Sequence, residues 1–194
     1  MDTFLMFLLV GALAQAIDGA LGMAYGVISS SVLLAFGVPP ATASASVHGA
    51  EVFTTAASAG SHVLHKNVEW RLFLPLAVAG IVGGVVGAYV LSGIDGDIIK
   101  PFIVVYLALI GLYILWRGFR KAKPRRLPTW TTGPLGLIGG FFDAIGGGGW
   151  GPTVSSAMVG AGEEPRRAIG TVNTAEFFLT VAISATFVWA LVLS

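Results

Sequence analysis

The chain has no cysteine in its 194 residues, which removes disulfide frameworks, thiolate metal sites and cysteine nucleophiles together. Charge is scarce too: Asp, Glu, Lys and Arg make up 11% of the chain, against about a quarter in soluble domains. The formal charge of +1 selects no partner of either sign. No basic cluster is interleaved with stacking aromatics, and the one basic run lies between apolar segments, so nucleic-acid binding has little support and no nucleic-acid partner is expected. What is present is apolar: 55% hydrophobic residues and a mean hydropathy of +0.84. Apolar runs fill 3–17, 20–36, 41–64, 72–92, 101–116, 133–160 and 168–193, and a spanning helix needs about 20 such residues. The expectation is an all-α polytopic membrane protein, with the lipid bilayer as its first partner and no cofactor or metal implied.

The first apolar run ends in Ala14-Gln15-Ala16, a pattern like a signal-peptide cleavage site. The residues before it carry Asp2 and no Lys or Arg, and the repeat described next needs this segment as its first helix. It is expected to stay in the mature protein.

The segment starting at Asp18 matches the segment starting at Asp143 with a constant shift of 125 and no gap. Thirteen of the 38 positions from Asp18 to Thr55 are identical, against about three or four expected by chance in a chain this rich in Gly and Ala. The identical pairs include Asp18/Asp143, Gly22/Gly147, Ser30/Ser155, Pro40/Pro165, Glu51/Glu176 and Thr55/Thr180, and Tyr25 meets Trp150. Residues 1–122 read as a first membrane repeat, 123–132 as a basic cytoplasmic linker and 133–194 as a second repeat. The first copy continues through apolar helices over 72–92 and 101–116, whereas Ser194 corresponds to Glu69, so the second copy is truncated. The simpler expectation is a fragment of a protein of about 250 residues. A partner subunit is the alternative source of the missing packing surface, and a homo-oligomer is a further expected partner.

Six of the eleven basic residues, Arg117, Arg120, Lys121, Lys123, Arg125 and Arg126, crowd one short loop, and such loops stay cytoplasmic. Counting back, the loop with Asp95 and Asp97 falls outside and the loop with Lys66 and Arg71 inside. Residues 3–36 as one helix would be roughly 50 Å long, too long for one pass. The glycines at 19, 22 and 26 therefore predict two short helices that meet at a turn and return to their starting side. Repeat two then begins inside, so two inverted repeats follow, each with a Gly-broken helical hairpin. Trp70, Trp116, Trp130 and Trp189 fit an interfacial aromatic belt.

Four consecutive glycines, Gly146 to Gly149, interrupt the second hairpin, with Gly147 and Gly148 central to a candidate binding turn. Irregular backbone at membrane depth must be buried by protein or line a watery cavity, and half-helix N-termini attract anions. Paired broken helices thus point to a transport site. By contrast, Gly11, Gly80, Gly83, Gly84 and Gly87 read as close-packing glycines. Asp18 and Asp143 sit in apolar surroundings, where solute or proton contact competes with capping of the next half-helix. His48-x-x-Glu51 and Asn173-x-x-Glu176 place matched polar pairs on one face of helices that start at Pro40 and Pro165. Such pairs would suit a gate, a proton relay or a ligand site, or else plain interhelical hydrogen bonding. Ser30 and Ser155 add neutral donors, while His62 and His65, at the inner end of their helix, read as interfacial.

The repeated Asp, Gly-rich turn, short helix and Pro-started helix with a mid-span Glu resemble the sulfite exporter TauE/SafE family of membrane permeases, over essentially the whole chain. The resemblance implies a multi-pass plasma-membrane transporter, in some members for sulfite or organosulfonates. The expected solute is a small anion moved with a coupled proton, bound at the repeat interface by Asp18, Gly22, Tyr25, Ser30, His48, Glu51, Asp143, Gly147, Gly148, Trp150, Ser155, Asn173 and Glu176. Two other classes compete with it: an intramembrane hydrolase using Asp18 and Asp143 as an acid/base dyad, and a non-transporting assembly subunit.

Overall fold

The computed structural model describes residues 3–21, 23–119 and 127–190, and its described residues form helices and turns with no strand. The first apolar run breaks where its glycines predict. Helix α1 (Thr3–Leu21) stops before residue 22, and α2 (Tyr25–Ala35) starts after a turn in which Ala24 takes a left-handed φ of 114°. Phe7, early in α1, meets Phe36, just past α2, edge to face at 5.7 Å between ring centroids. The chain therefore reverses at the break and returns to its starting end. The 11 residues of α2 rise about 16 Å, half of the hydrocarbon core.

Three long helices follow: α3 (Pro40–Leu64), α4 (Trp70–Gly93) and α5 (Gly96–Gly118). The last begins ahead of the expected start near Pro101. Asp95 causes the difference, because its carboxylate accepts the Asp97 N–H at 2.8 Å and its carbonyl accepts those of Ile98 and Ile99. An aspartate read as loop is thus the cap of α5, and Pro101 falls early enough in the helix to leave only one bond unmade. Residues 120–126 of the basic stretch lie outside the described residues.

After a short 3₁₀ turn at Thr129–Thr131, α6 (Thr132–Gly146) ends in a run of positive φ at Gly147 (67°), Gly148 (137°) and Gly149 (151°). Side chains adopt such angles at a cost, so glycine is required here. A π-helical turn (Gly151–Ser155) then leads into the short α7 (Ser156–Gly160). The first copy is regular α-helix at this point; here Pro152, which has no N–H, stands where the first copy has Val27, and the turn widens. The Leu127 N–H donates to the Glu163 carboxylate, so the start of α6 and the end of α7 also lie side by side. A second hairpin results. Helix α8 (Pro165–Val188) closes the described chain.

Helices α3 and α8 pack antiparallel along their length. Asn173 donates to the Ser58 hydroxyl at 3.2 Å, the Thr55 and Thr180 hydroxyls are 3.3 Å apart, and the rings of His48 and Phe187 lie 6.5 Å apart. At one end Arg167 pairs with Glu69 at 2.9 Å; at the other, Gly96 lies against the Pro40 ring. The hairpins enter from opposite ends of this pair, and their tips touch. A Cβ on Gly26 would fall 2.5 Å from Gly148 Cα, and the Ser30 hydroxyl donates to the Gly147 carbonyl.

Helix α4 lies over α6 and α8 through small residues. A Cβ on Gly87 would sit 2.5 Å from the Phe141 carbonyl oxygen, one on Gly84 2.5 Å from Leu179 Cδ1, and one on Gly136 2.5 Å from the Leu76 oxygen. Backbones this close give dispersion contact where lipid offers no hydrophobic drive. Gly11 departs from the packing expectation: among the described residues no other element comes within 4 Å of its Cβ position. Trp70–Gly93, Gly96–Trp116 and Pro165–Val188 have the length and apolarity of membrane spans. Most of α5 faces outward, with Phe102, Val105, Leu109 and Leu112 exposed as lipid-facing residues would be.

Candidate functional site

The two aspartates do the same local job. Asp18 Oδ1 accepts the Tyr25 N–H at 3.1 Å, and Asp143 Oδ1 accepts the Trp150 N–H at 2.8 Å, each bond spanning seven residues across its own broken turn. A carboxylate at the start of a half-helix satisfies an orphan amide and opposes the positive end of the dipole. These helix starts are therefore occupied by the chain's own acids, which leaves less of them for an incoming anion.

Their second oxygens meet different neighbours. Asp143 Oδ2 lies 3.0 Å from His48 Nε2, and both residues are buried. His48 Nδ1 lies 2.8 Å from the Ser44 carbonyl, which can only accept, so Nδ1 carries a proton. Ser44 Oγ donates onward to the Ala144 carbonyl at 2.6 Å, which ties α3 to α6.

Around Asp18 the chain leaves space instead. A cavity of about 450 Å³ opens between α1, α3 and α8, lined by Gln15, Asp18, Thr54, Thr55, Ser58, His62, Asn173 and Glu176. Gln15 Oε1 and Asn173 Oδ1 have no hydrogen-bond partner among the described residues. Unpaired buried acceptors beside a cavity call for water or solute donors. Glu51 is buried beneath it, with Oε1 3.0 Å from the Cβ position of Gly26 and within electrostatic range of Glu176, Asp143 and Asp18. Four carboxylates thus share the centre of the molecule, and none of the described residues lining the cavity is Lys or Arg.

Of the residues expected to bind solute, Asp18, Asn173 and Glu176 line the cavity. His48 and Asp143 form the closed pair, and Gly147, Gly148 and Ser30 build the tip contact. Tyr25 borders a separate, smaller cavity of about 160 Å³. Trp150 is fully buried, its indole N–H donating to the Val172 carbonyl at 3.2 Å, and Ser155 is buried with no partner among the described residues. Gly22 lies outside the described residues. Sequence reasoning missed Gln15, Thr54, Ser58 and His62 as lining residues, although Glu51, Thr55, Ser58 and His62 share one helix face by spacing. It also missed Tyr106 of α5, which packs against Gly146 and Gly149 and stacks on Phe142 at 5.5 Å. Nothing in the sequence sets Tyr106 apart from Tyr113, the other tyrosine of α5.

Fold and site together define an all-helical, multi-pass membrane protein with two broken hairpins that meet at a buried acidic centre. Residues 7–194 match the family model described as Sulfite exporter TauE/SafE, and the chain belongs to that family. It is 46% identical over 198 residues to the Probable membrane transporter protein YtnM of Bacillus subtilis (strain 168), an alignment covering 98% of this chain and 66% of that one. It is 26% identical over 150 residues to the Probable membrane transporter protein ORF9 of Sinorhizobium sp, covering 76% and 58%. The chain thus spans less than two thirds of the length of either relative. No solved structure matches it. Both relatives carry the description of a probable membrane transporter.

Proposed function

We propose that the chain forms the core of a secondary transporter in the plasma membrane that moves a small anion, of the sulfite or organosulfonate class, together with protons. The observation that carries this reading is the polar cavity that reaches Asp18, Asn173 and Glu176 beside the shared carboxylates. An anion entering there meets acids and neutral donors with no Lys or Arg among the lining residues. Like charges at close range in a poorly solvated site are costly, so an anion can bind only when protons neutralise the carboxyls. Proton and anion would then move together.

The two copies are read as inverted repeats. Support comes from the antiparallel packing of the equivalent helices α3 and α8 and from the Thr55–Thr180 contact, where equivalent residues touch across what would be a two-fold axis. Rocking of one repeat against the other about that axis would expose the centre to alternate sides. A hydrolytic dyad would need the two aspartates to share a proton; each instead accepts an amide of its own hairpin.

Counterflow of labelled sulfite or a sulfonate in proteoliposomes tests the function, and its absence with every such anion would refute it. Glu51→Gln and Glu176→Gln are expected to abolish the dependence of flux on an imposed proton gradient. Unchanged dependence in both would remove the coupled proton.

A further inference from the structure

Among the described residues that line the cavity, one side chain can carry positive charge, His62, in the last turn of α3. Its ring is placed by other residues. The Asn67 side-chain amide lies 3.2 Å from His62 Nδ1, and an amide nitrogen donates, so Nδ1 accepts and the neutral ring carries its proton on Nε2. Gly170 of α8 makes room for this arrangement, since a Cβ there would lie 3.0 Å from Nδ1 and 2.6 Å from the Asn67 carbonyl oxygen. With Nδ1 engaged, the free donor of the ring is Nε2–H.

The residue one repeat length away is Phe187, which is 1% exposed and plugs the corresponding position beside His48. Where one half of the duplicated unit has an apolar plug, the other has an imidazole at an open cavity. The charged and titratable groups near His62 are the exposed His65 and Arg166, with Asp18 and Glu176 on the cavity wall. We propose that His62 recognises the anion at the mouth of the cavity, donating Nε2–H to an oxyanion oxygen before the solute reaches the carboxylates. This rests on the transport reading and names its specificity-determining residue.

The test uses the 194-residue chain, with sulfite as probe and two readouts. In counterflow, His62→Phe, which copies the equivalent position, is expected to raise KM for sulfite about ten- to a hundred-fold, the loss of one hydrogen bond to a charged acceptor, with the maximal rate little changed. His62→Gln, which keeps an N–H donor, is expected to recover most of the affinity. In detergent, the ring Cε1–H NMR signal of His62 in the unmutated protein is expected to move on sulfite titration. An unmoved signal, or an unchanged KM in His62→Phe, overturns the inference even if wild-type flux is robust. A signal that moves with sulfite where the wild type shows no flux supports the site and refutes transport of that anion.

Discussion

Two equivalent positions in the duplicated unit have been finished differently. At Asp143 the space is filled: His48 completes the carboxylate with Phe187 beside its ring, and Leu179 and Ile183 are fully buried against Gly84 of α4. At Asp18 the equivalents of His48, Ile183 and Phe187 are Asn173, Ser58 and His62, and all three line open space. The capping bond is common to both, 3.1 and 2.8 Å, so the backbone job of the aspartate is separable from whatever its second oxygen does. The two broken hairpins share this cap, and their surroundings differ: one is a closed joint, the other borders a polar cavity.

The comparison is broken most forcefully at the aspartates. Asp143→Ala removes a cap and strands a buried imidazole, and is expected to cost about 3–5 kcal/mol, whereas Asp18→Ala removes the cap alone and is expected to cost about 1 kcal/mol. Thermal unfolding in detergent measures both; equal losses would mean that the two sites are not structurally distinct. A smaller effect is expected from Asn173→His, which rebuilds the His48 arrangement beside Asp18. It should stabilise the protein by about 1 kcal/mol and slow counterflow by partly filling the cavity; unchanged flux would show that the pocket is not on the solute's route.

The hairpin tips offer the finest comparison. Ala24 holds a left-handed φ of 114° where the second copy has Gly149. Ala24→Gly relieves that strain and is expected to stabilise by up to about 1 kcal/mol, read as a rise in melting temperature. The reverse change, Gly149→Ala, has no such outlet, because its Cβ would run into the Tyr106 hydroxyl. Expression of folded protein should fall sharply.

Much of this architecture was legible in advance because its causes are local. The break after Leu21 and its counterpart after Gly146 follow from glycine, and Pro40 and Pro165 start helices because a missing N–H is harmless there. The capping role of the aspartates was one of two readings their spacing allowed. Three-dimensional facts were less accessible: Gly11 and Gly87 look alike in sequence, yet one faces open space and the other a carbonyl 2.5 Å from its Cβ position. His62 was passed over because a helix-end histidine carries no local mark of the cavity beside it.

Composition and the 125-residue repetition by themselves determine a membrane-embedded, duplicated helical chain with paired hairpins and four acids at equivalent positions, since apolar length and glycine placement act on neighbouring backbone. Only the tertiary structure decides that Asp143 is closed off by His48 and Phe187 while Asp18 faces a cavity lined by His62 and Asn173. That choice depends on which side chains meet across α3 and α8, a matter of packing between residues more than a hundred positions apart.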